Sequence, residues 1–230
     1  MCCRARDARA ISTLEAHDGL DSPPVATLRS RPLVALAIFA GLLCLTVAAY
    51  APVFSAGYVW DDDSWLTGNP AISDPQGLHT IWTSVPRMQY YPLLFTSFWL
   101  EYRLYGLNPL GYHLVNLLLH ACNAFLLGLI LRSLRVPGAF WVAALFAVHP
   151  VHVESVAWVT ERKNVLSGLF YLGAALAYLN FERSRRRARY AIALALFVCA
   201  MLTKTATATL PVALAVASTW RRWPARARDF

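Results

Sequence analysis

The sequence predicts an all-α polytopic membrane protein with about six transmembrane helices and a helix within an outer-face loop. Three observations carry this. Hydrophobic residues make up 57% of the 230 residues and charged residues only 15%, against about 25% charged in a soluble domain. Several apolar runs are long enough to cross a bilayer. The basic residues fall overwhelmingly on one side of those runs. The same composition excludes a disordered chain, which needs low hydrophobicity. Five scattered cysteines exclude a small disulfide-framed module.

Residues 1–31 read as a polar, disordered cytoplasmic leader, residues 32–223 as the transmembrane region, and residues 224–230 as a basic cytoplasmic tail. The first apolar run, Leu33 to Phe54, carries no charge and would extend about 33 Å as a helix. It is too long, and its leader too long, for a cleaved signal peptide. An outer loop over 55–111 follows. The remaining spans are expected at about 112–131, 134–150, 165–181, 190–203 and 205–220.

With the N-terminus inside, five basic residues lie outside: Arg87, Arg103, Arg162, Lys163 and Lys204. The remainder of the 21 lie inside. This asymmetry predicts cytoplasmic termini. It also accounts for the net charge of +8, so a nucleic-acid partner has nothing left to explain. The partner in every case is membrane lipid.

Ionisable groups are expensive near a bilayer, so their placement is informative. Three clusters stand out, all assigned to the outer face. The first is Tyr58-Val59-Trp60-Asp61-Asp62-Asp63-Ser64-Trp65. Adjacent carboxylates repel, and one of them could take a proton from an acceptor hydroxyl. A solvated turn or helix cap is the bland alternative. The second is a stripe on the second span, His113, Asn116, His120 and Asn123, confined to an arc of about 80°. Interhelical hydrogen bonding suits Asn116 and Asn123 at least as well as a substrate role, and His113 is the better site candidate. The third is the segment His149 to Asn164, with His149, His152, Glu154, Glu161, Arg162 and Lys163. Its histidine spacing matches no standard zinc helix, so a divalent metal is not expected. A cationic rim of Arg162, Lys163 and Lys204 suits a phosphate at headgroup depth. Snorkelling is the simple alternative for Lys204.

Together the outer face suits a lipid-phosphate donor and a hydroxyl acceptor. The order of motifs then resembles a known family. Trp60-Asp61-Asp62, Asn69-Pro70 and Tyr91-Pro92-Leu93 are followed by Gly111-Tyr112-His113-Leu114-Val115-Asn116 and Leu119-His120-Ala121-Cys122-Asn123. Then come the block from His149 to Trp158, the run Glu161-Arg162-Lys163-Asn164-Val165-Leu166-Ser167, and Lys204 ahead of Thr209-Leu210-Pro211. This resembles the membrane half of the transmembrane and tetratricopeptide-repeat (TMTC) proteins and their bacterial relatives, of the GT-C superfamily. The resemblance implies a GT-C-like N-terminal half and an integral-membrane glycosyltransferase. It would move a sugar, mannose in eukaryotes, from a polyprenyl-phosphate donor to protein hydroxyls on the outer or luminal side. The superfamily's first-loop acidic pair maps to Asp61 and Asp62, with Asp61 favoured as base. It implies no cofactor beyond the lipid-linked sugar donor, an acceptor protein as partner, and a bacterial inner membrane or endoplasmic-reticulum-type membrane as location. Members carry more spans and then repeats, so the chain reads as a fragment or split gene product whose continuation or partner chain supplies them, or as a degenerate copy inactive on its own. A non-catalytic membrane scaffold derived from the family is the alternative. A small transporter ranks lower, since the charges sit at the ends of spans.

Overall fold

The computed structural model describes residues 32–84 and 89–222. The leader at 1–31, the tail at 224–230 and Arg87 lie outside the described residues. All described regular structure is helical.

Helix α1, Pro32–Ala49, is an uncharged apolar rod. The expected run to Phe54 is cut short, because Pro52 cannot continue a helical ladder and the chain tightens into a 3-10 turn over Ala51–Ser55. The outer loop that follows is largely structured. A single π-helical turn spans Asp63–Thr67. Short helices α2 (Pro70–Ser73) and α3 (Gly77–Thr83) precede α4, Pro92–Tyr105. Asn69 starts α2 by accepting the Ala71 N–H at 3.1 Å, and α4 turns back at Gly106, whose φ of 62° favours glycine.

Helix α5, Pro109–Ser133, is the central rod. Asn108 caps it by accepting the Leu110 N–H at 3.1 Å, with Pro109 pre-set for the first turn. The span expected over 134–150 is not one helix. Its first residues are a turn through Arg135 (φ 62°) and Gly138 (φ 69°), and α6 covers only Ala139–Val148. Pro150 then breaks it. A 3-10 turn (Pro150–His152) leads into α7, Val153–Ala157, bent by 52° from α6. Helix α8, Arg162–Ser184, is followed after Arg185 (φ 53°) by α9, Arg187–Thr203. A 3-10 turn, Thr205–Thr209, opens into α10, Leu210–Arg222.

Among the described residues, α1, α5 and α8 are long and apolar enough to cross a membrane, and the bent α6–α7 pair makes a fourth candidate. The fifth and sixth expected spans correspond to α9 and α10, of 17 and 13 residues, which fall short of the roughly 20 that a straight crossing needs.

Packing explains how the rods are held. Alanines let α1, α5 and α6 approach around Leu42, Ala124, Ala143 and Ala147, the small-residue contact that substitutes for hydrophobic drive inside lipid. At Gly128 a Cβ would come within 2.6 Å of the Phe140 ring, so only glycine fits. Helices α5, α8, α9 and α10 meet at Ile130, Ala174, Ala175, Leu179 and Leu210. A separate aromatic core fastens the outer loop onto the end of α5. It contains Trp65, Leu66, Ile72, Tyr91, Leu94, Phe98, Tyr112 and Val159. Phe98 and Leu94 are fully buried there, each contributing about 1.5–3 kcal/mol.

Candidate functional site

The acidic triplet sits where the backbone is least ordinary. Trp60 has φ of 50°, a left-handed conformation that costs a bulky residue energy and tends to mark functional sites. The π-helical turn begins at Asp63, another feature frequent at functional positions. Asp61 and Asp62 are bracketed between the two.

The three carboxylates have different surroundings. Asp62 is fully buried. One of its oxygens accepts the Val59 N–H at 2.9 Å and the other the Thr160 N–H at 2.9 Å. It therefore staples the outer loop to the turn between α7 and α8. Asp63 is exposed and accepts the Thr67 hydroxyl at 3.1 Å. Asp61 is half-buried, and its Oδ1 is enclosed without a hydrogen-bond partner.

Asp61 Oδ1 is one of several such atoms in this neighbourhood. The Tyr58 hydroxyl, both ring nitrogens of His113, the Trp158 indole N–H and the Thr160 hydroxyl are also enclosed and unpartnered. His113 faces the backbone of Ala56 and Gly57 without reaching hydrogen-bond geometry. Trp60 and Trp158 meet edge to face at 5.5 Å, and the Tyr58 ring lies 6.1 Å from that of Tyr112. Burial, reinforced by Asp62 and Glu101, pushes the Tyr58 phenol up to about 12. A folded protein pairs nearly all its buried polar atoms. A group of mixed donors and acceptors left unpartnered beside a carboxylate and two tryptophans is hydrogen-bonding capacity that the protein does not itself use.

The turn that carries Thr160 is itself held from beneath. Asn116 on α5 donates to the carbonyls of Val156 (3.3 Å), Trp158 (3.2 Å) and Val159 (3.5 Å). Its own oxygen accepts from Arg162 Nε at 2.7 Å. Arg162 is fully buried; it also donates to the Tyr112 carbonyl at 2.8 Å and forms an ion pair with Glu101 of α4. Tyr105 donates to the same carboxylate. Burial raises the Glu101 carboxyl above its ordinary value, while Arg162 and Tyr105 act against the rise. The expected rim cation Arg162 is thus an interior fastener, with each of its three nitrogens bonded to protein. Lys163 and Lys204 remain at the rim.

Those two lysines belong to one network. Lys163 pairs with Glu161 at 2.5 Å and lies 4.9 Å from the centre of the Trp65 ring. Asn164 donates to the other Glu161 oxygen at 2.6 Å and to the Ser155 hydroxyl at 3.0 Å. The Asn164 oxygen accepts from Lys204. Positions 40 residues apart in sequence are thereby joined at one edge of the bundle.

The remaining candidates lie elsewhere. His149 caps the 3-10 turn by accepting the Val151 N–H at 3.2 Å. His152 stands 4.2 Å from Phe146, 5.2 Å from His120 and 6.2 Å from His149, ring to ring. These rings gather at the α6–α7 bend. Glu154 is exposed. Among the described residues no three His, Cys, Asp or Glu side chains come together as a metal set. The stripe on α5 is wholly buried. Besides Asn116, its members His120 and Asn123 bond the Ala147 and Val165 carbonyls at 3.2 and 2.8 Å. A cavity of about 510 Å3 between α8, α9 and α10 is lined by Tyr178, Glu182, Tyr190, Phe197, Leu214 and Ser218. None of its lining comes from the acidic loop or the lysine network.

Sequence reasoning missed Glu101 and Asn164. Glu101 is the one carboxylate in the aromatic segment from Phe95 to Tyr105, and that isolation was the available signal. Asn164 gave none beyond its place in the Glu161–Ser167 run.

Comparison with known proteins returns no matching family model and no matching solved structure. Curated proteins do match. The chain is 35% identical to protein O-mannosyl-transferase Tmtc1 of Drosophila melanogaster over 170 residues, covering 69% of this chain and 19% of that protein. It is 34% identical to TMTC1 of Mus musculus over 167 residues (66% and 17%) and 32% identical to mouse TMTC2 over 151 residues (59% and 18%). The chain spans about a fifth of the length of the curated relatives it matches. Across that aligned part, the chain is a homologue of the TMTC protein O-mannosyl-transferases.

Proposed function

We propose that this chain forms the catalytic-loop portion of an integral-membrane sugar transferase. It transfers mannose from a polyprenyl-phosphate donor to hydroxyl groups of proteins on the non-cytoplasmic side. In this reading α9 and the α10 segment complete six crossings, short ones that thin the bilayer locally and snorkel their flanking residues, with both termini cytoplasmic. In a eukaryote the membrane would be that of the endoplasmic reticulum.

The observation that carries the reading is the division of labour in the acidic pair. Asp62 is locked by two backbone N–H groups, while Asp61 keeps an enclosed oxygen free amid other unpartnered polar atoms. Asp61 accepts the proton of the acceptor hydroxyl as that oxygen attacks the anomeric carbon. The bond from that carbon to the phosphate oxygen breaks, and the electron pair leaves with the polyprenyl phosphate. Lys163 and Lys204 stabilise the charge that develops there. His113, Tyr58, Trp158 and Thr160 hydrogen-bond hydroxyls of the sugar or acceptor. His149, His152 and Glu154, at the α6–α7 bend, take no part in this step, and Glu161 tunes the lysines.

The test is sugar transfer from a polyprenyl-phosphate mannose to an acceptor protein, in a polypeptide carrying this region together with the remainder that the relatives possess. Asp61→Asn should remove transfer and leave membrane insertion and thermal stability unchanged. Full transfer by that variant would refute the role of Asp61. A scaffold derived from the family is the competing reading, favoured by the structural use of Asp62 and Arg162. It predicts no binding of the donor at all.

A further inference from the structure

We propose that Glu161 is a resident counter-ion that occupies the phosphate site formed by Lys163 and Lys204, and that a phosphate ester binds by displacing it. The inference rests on the reading of a lipid-phosphate donor and concerns how that site is held before the donor arrives.

Two ammonium groups and one carboxylate make up the charge of the network, so it retains one positive charge. Each ammonium has three donors. Lys163 spends one on Glu161 and Lys204 one on Asn164. Both lysines are half-buried and Glu161 is buried, so screening by water is reduced and a second anion competes directly with the first. Asn164 is the hinge of the exchange. Its amide holds Glu161 while its oxygen holds Lys204, so one side chain fixes the separation of the two cations. Trp65 supports Lys163 from its ring face and keeps the ammonium in place once the carboxylate leaves. A phosphate monoester, the form in which the polyprenyl phosphate leaves, carries more charge and more acceptor oxygens than a carboxylate, and Lys163 and Lys204 each keep donors that Glu161 and Asn164 do not use. A singly bound carboxylate or a prenol without phosphate cannot repay the loss of Glu161. The site is thereby selective for a phosphate ester.

The test is equilibrium binding to the full chain in phosphatidylcholine nanodiscs. The probes are farnesyl monophosphate, inorganic phosphate and farnesol. Glu161→Gln keeps the shape and one of the two acceptor oxygens but removes the competing charge. It should tighten farnesyl monophosphate about tenfold, equivalent to about 1.4 kcal/mol, and leave farnesol unchanged. Lys204→Met should weaken it by a similar factor. Inorganic phosphate tightening in parallel would assign the site to phosphate as such; tightening on the farnesyl ester alone would assign it to a lipid source. Unchanged or weaker binding of both phosphates by Glu161→Gln would overturn the proposal. Should that variant fail to fold, Glu161→Asp draws the charge back from Lys163 and should tighten binding severalfold, with no change again the overturning result. Because the probes carry no sugar, Asp61→Asn should bind them normally. Loss of transfer in Asp61→Asn with no effect of Glu161→Gln would sink this inference alone. Tightening by Glu161→Gln with normal transfer by Asp61→Asn would sink the catalytic reading alone.

Discussion

Replacing Arg162 by Met probes the fastener beneath the site. The guanidinium is fully buried and makes three attachments: Asn116 at 2.7 Å, the Tyr112 carbonyl at 2.8 Å, and the Glu101 carboxylate. Methionine fills much of the volume but removes all the donors. Glu101, only 7% exposed, is left with the Tyr105 hydroxyl alone. Removing one partner of a buried ion pair costs about 3–5 kcal/mol, a large share of the roughly 5–15 kcal/mol of a typical fold. At about 2–4 °C per kcal/mol for a chain of this size, the midpoint should fall by about 6–20 °C. Tryptophan fluorescence during heating in nanodiscs would measure it. Adding Glu101→Leu should recover part of the loss, because the stranded charge is gone; the two substitutions should be strongly non-additive. The effect should also depend on pH. Burial already raises the Glu101 carboxyl above 4.5, and without Arg162 it rises further. The folded state then binds the proton more tightly than the unfolded chain. That contribution is fully present below 4.5 and is lost as pH rises through the raised value. The Arg162→Met defect should therefore shrink in acid. A midpoint within a degree of wild type, or strict additivity with Glu101→Leu, would refute the account of a buried fastener.

Other predictions follow from the same geometry. Asp62→Asn should cost about 1.5–3 kcal/mol, since a charge-assisted acceptor of two backbone N–H groups is lost; a stable variant would contradict the staple. Asn116→Ala should cost about 1–3 kcal/mol through orphaned carbonyls and Arg162 Nε, measured by the same melting assay, and a loss below 0.5 kcal/mol, on the order of a surface substitution, would contradict it. The ultraviolet titration component lost in Tyr58→Phe should have its midpoint near pH 12 and move down in Asp62→Asn; a midpoint near 10 would show an unburied phenol.

Local pattern made much of this legible. The polar stripe on α5 follows from helical geometry, and the buried Asn116, His120 and Asn123 bond neighbouring backbone as interhelical groups do. The acidic pair was visible because carboxylates beside a long apolar run are costly. The roles inside it were not. Asp61 and Asp62 are chemically identical, and only the Thr160 N–H, 98 residues away, distinguishes them. Arg162 and Lys163 show the same limit. They are neighbours in sequence, yet one step around α8 turns Arg162 to Glu101 and leaves Lys163 at the edge. The expected third span is broken for a local reason, since Gly138 and Pro150 bound a rod too short to cross unaided, and it remains a candidate only as the bent α6–α7 pair.

The account requires the acidic loop, the α7–α8 turn and Lys204 to share a rim that faces away from the cytoplasm. Single cysteines at Ser64, Glu154, Thr205 and Arg186, all exposed positions, can be placed in a cysteine-free background and labelled from each side of sealed vesicles. The first three should react only from the non-cytoplasmic side and Arg186→Cys only from the cytoplasmic side. Reaction of Ser64→Cys and Glu154→Cys solely from the cytoplasm would contradict it.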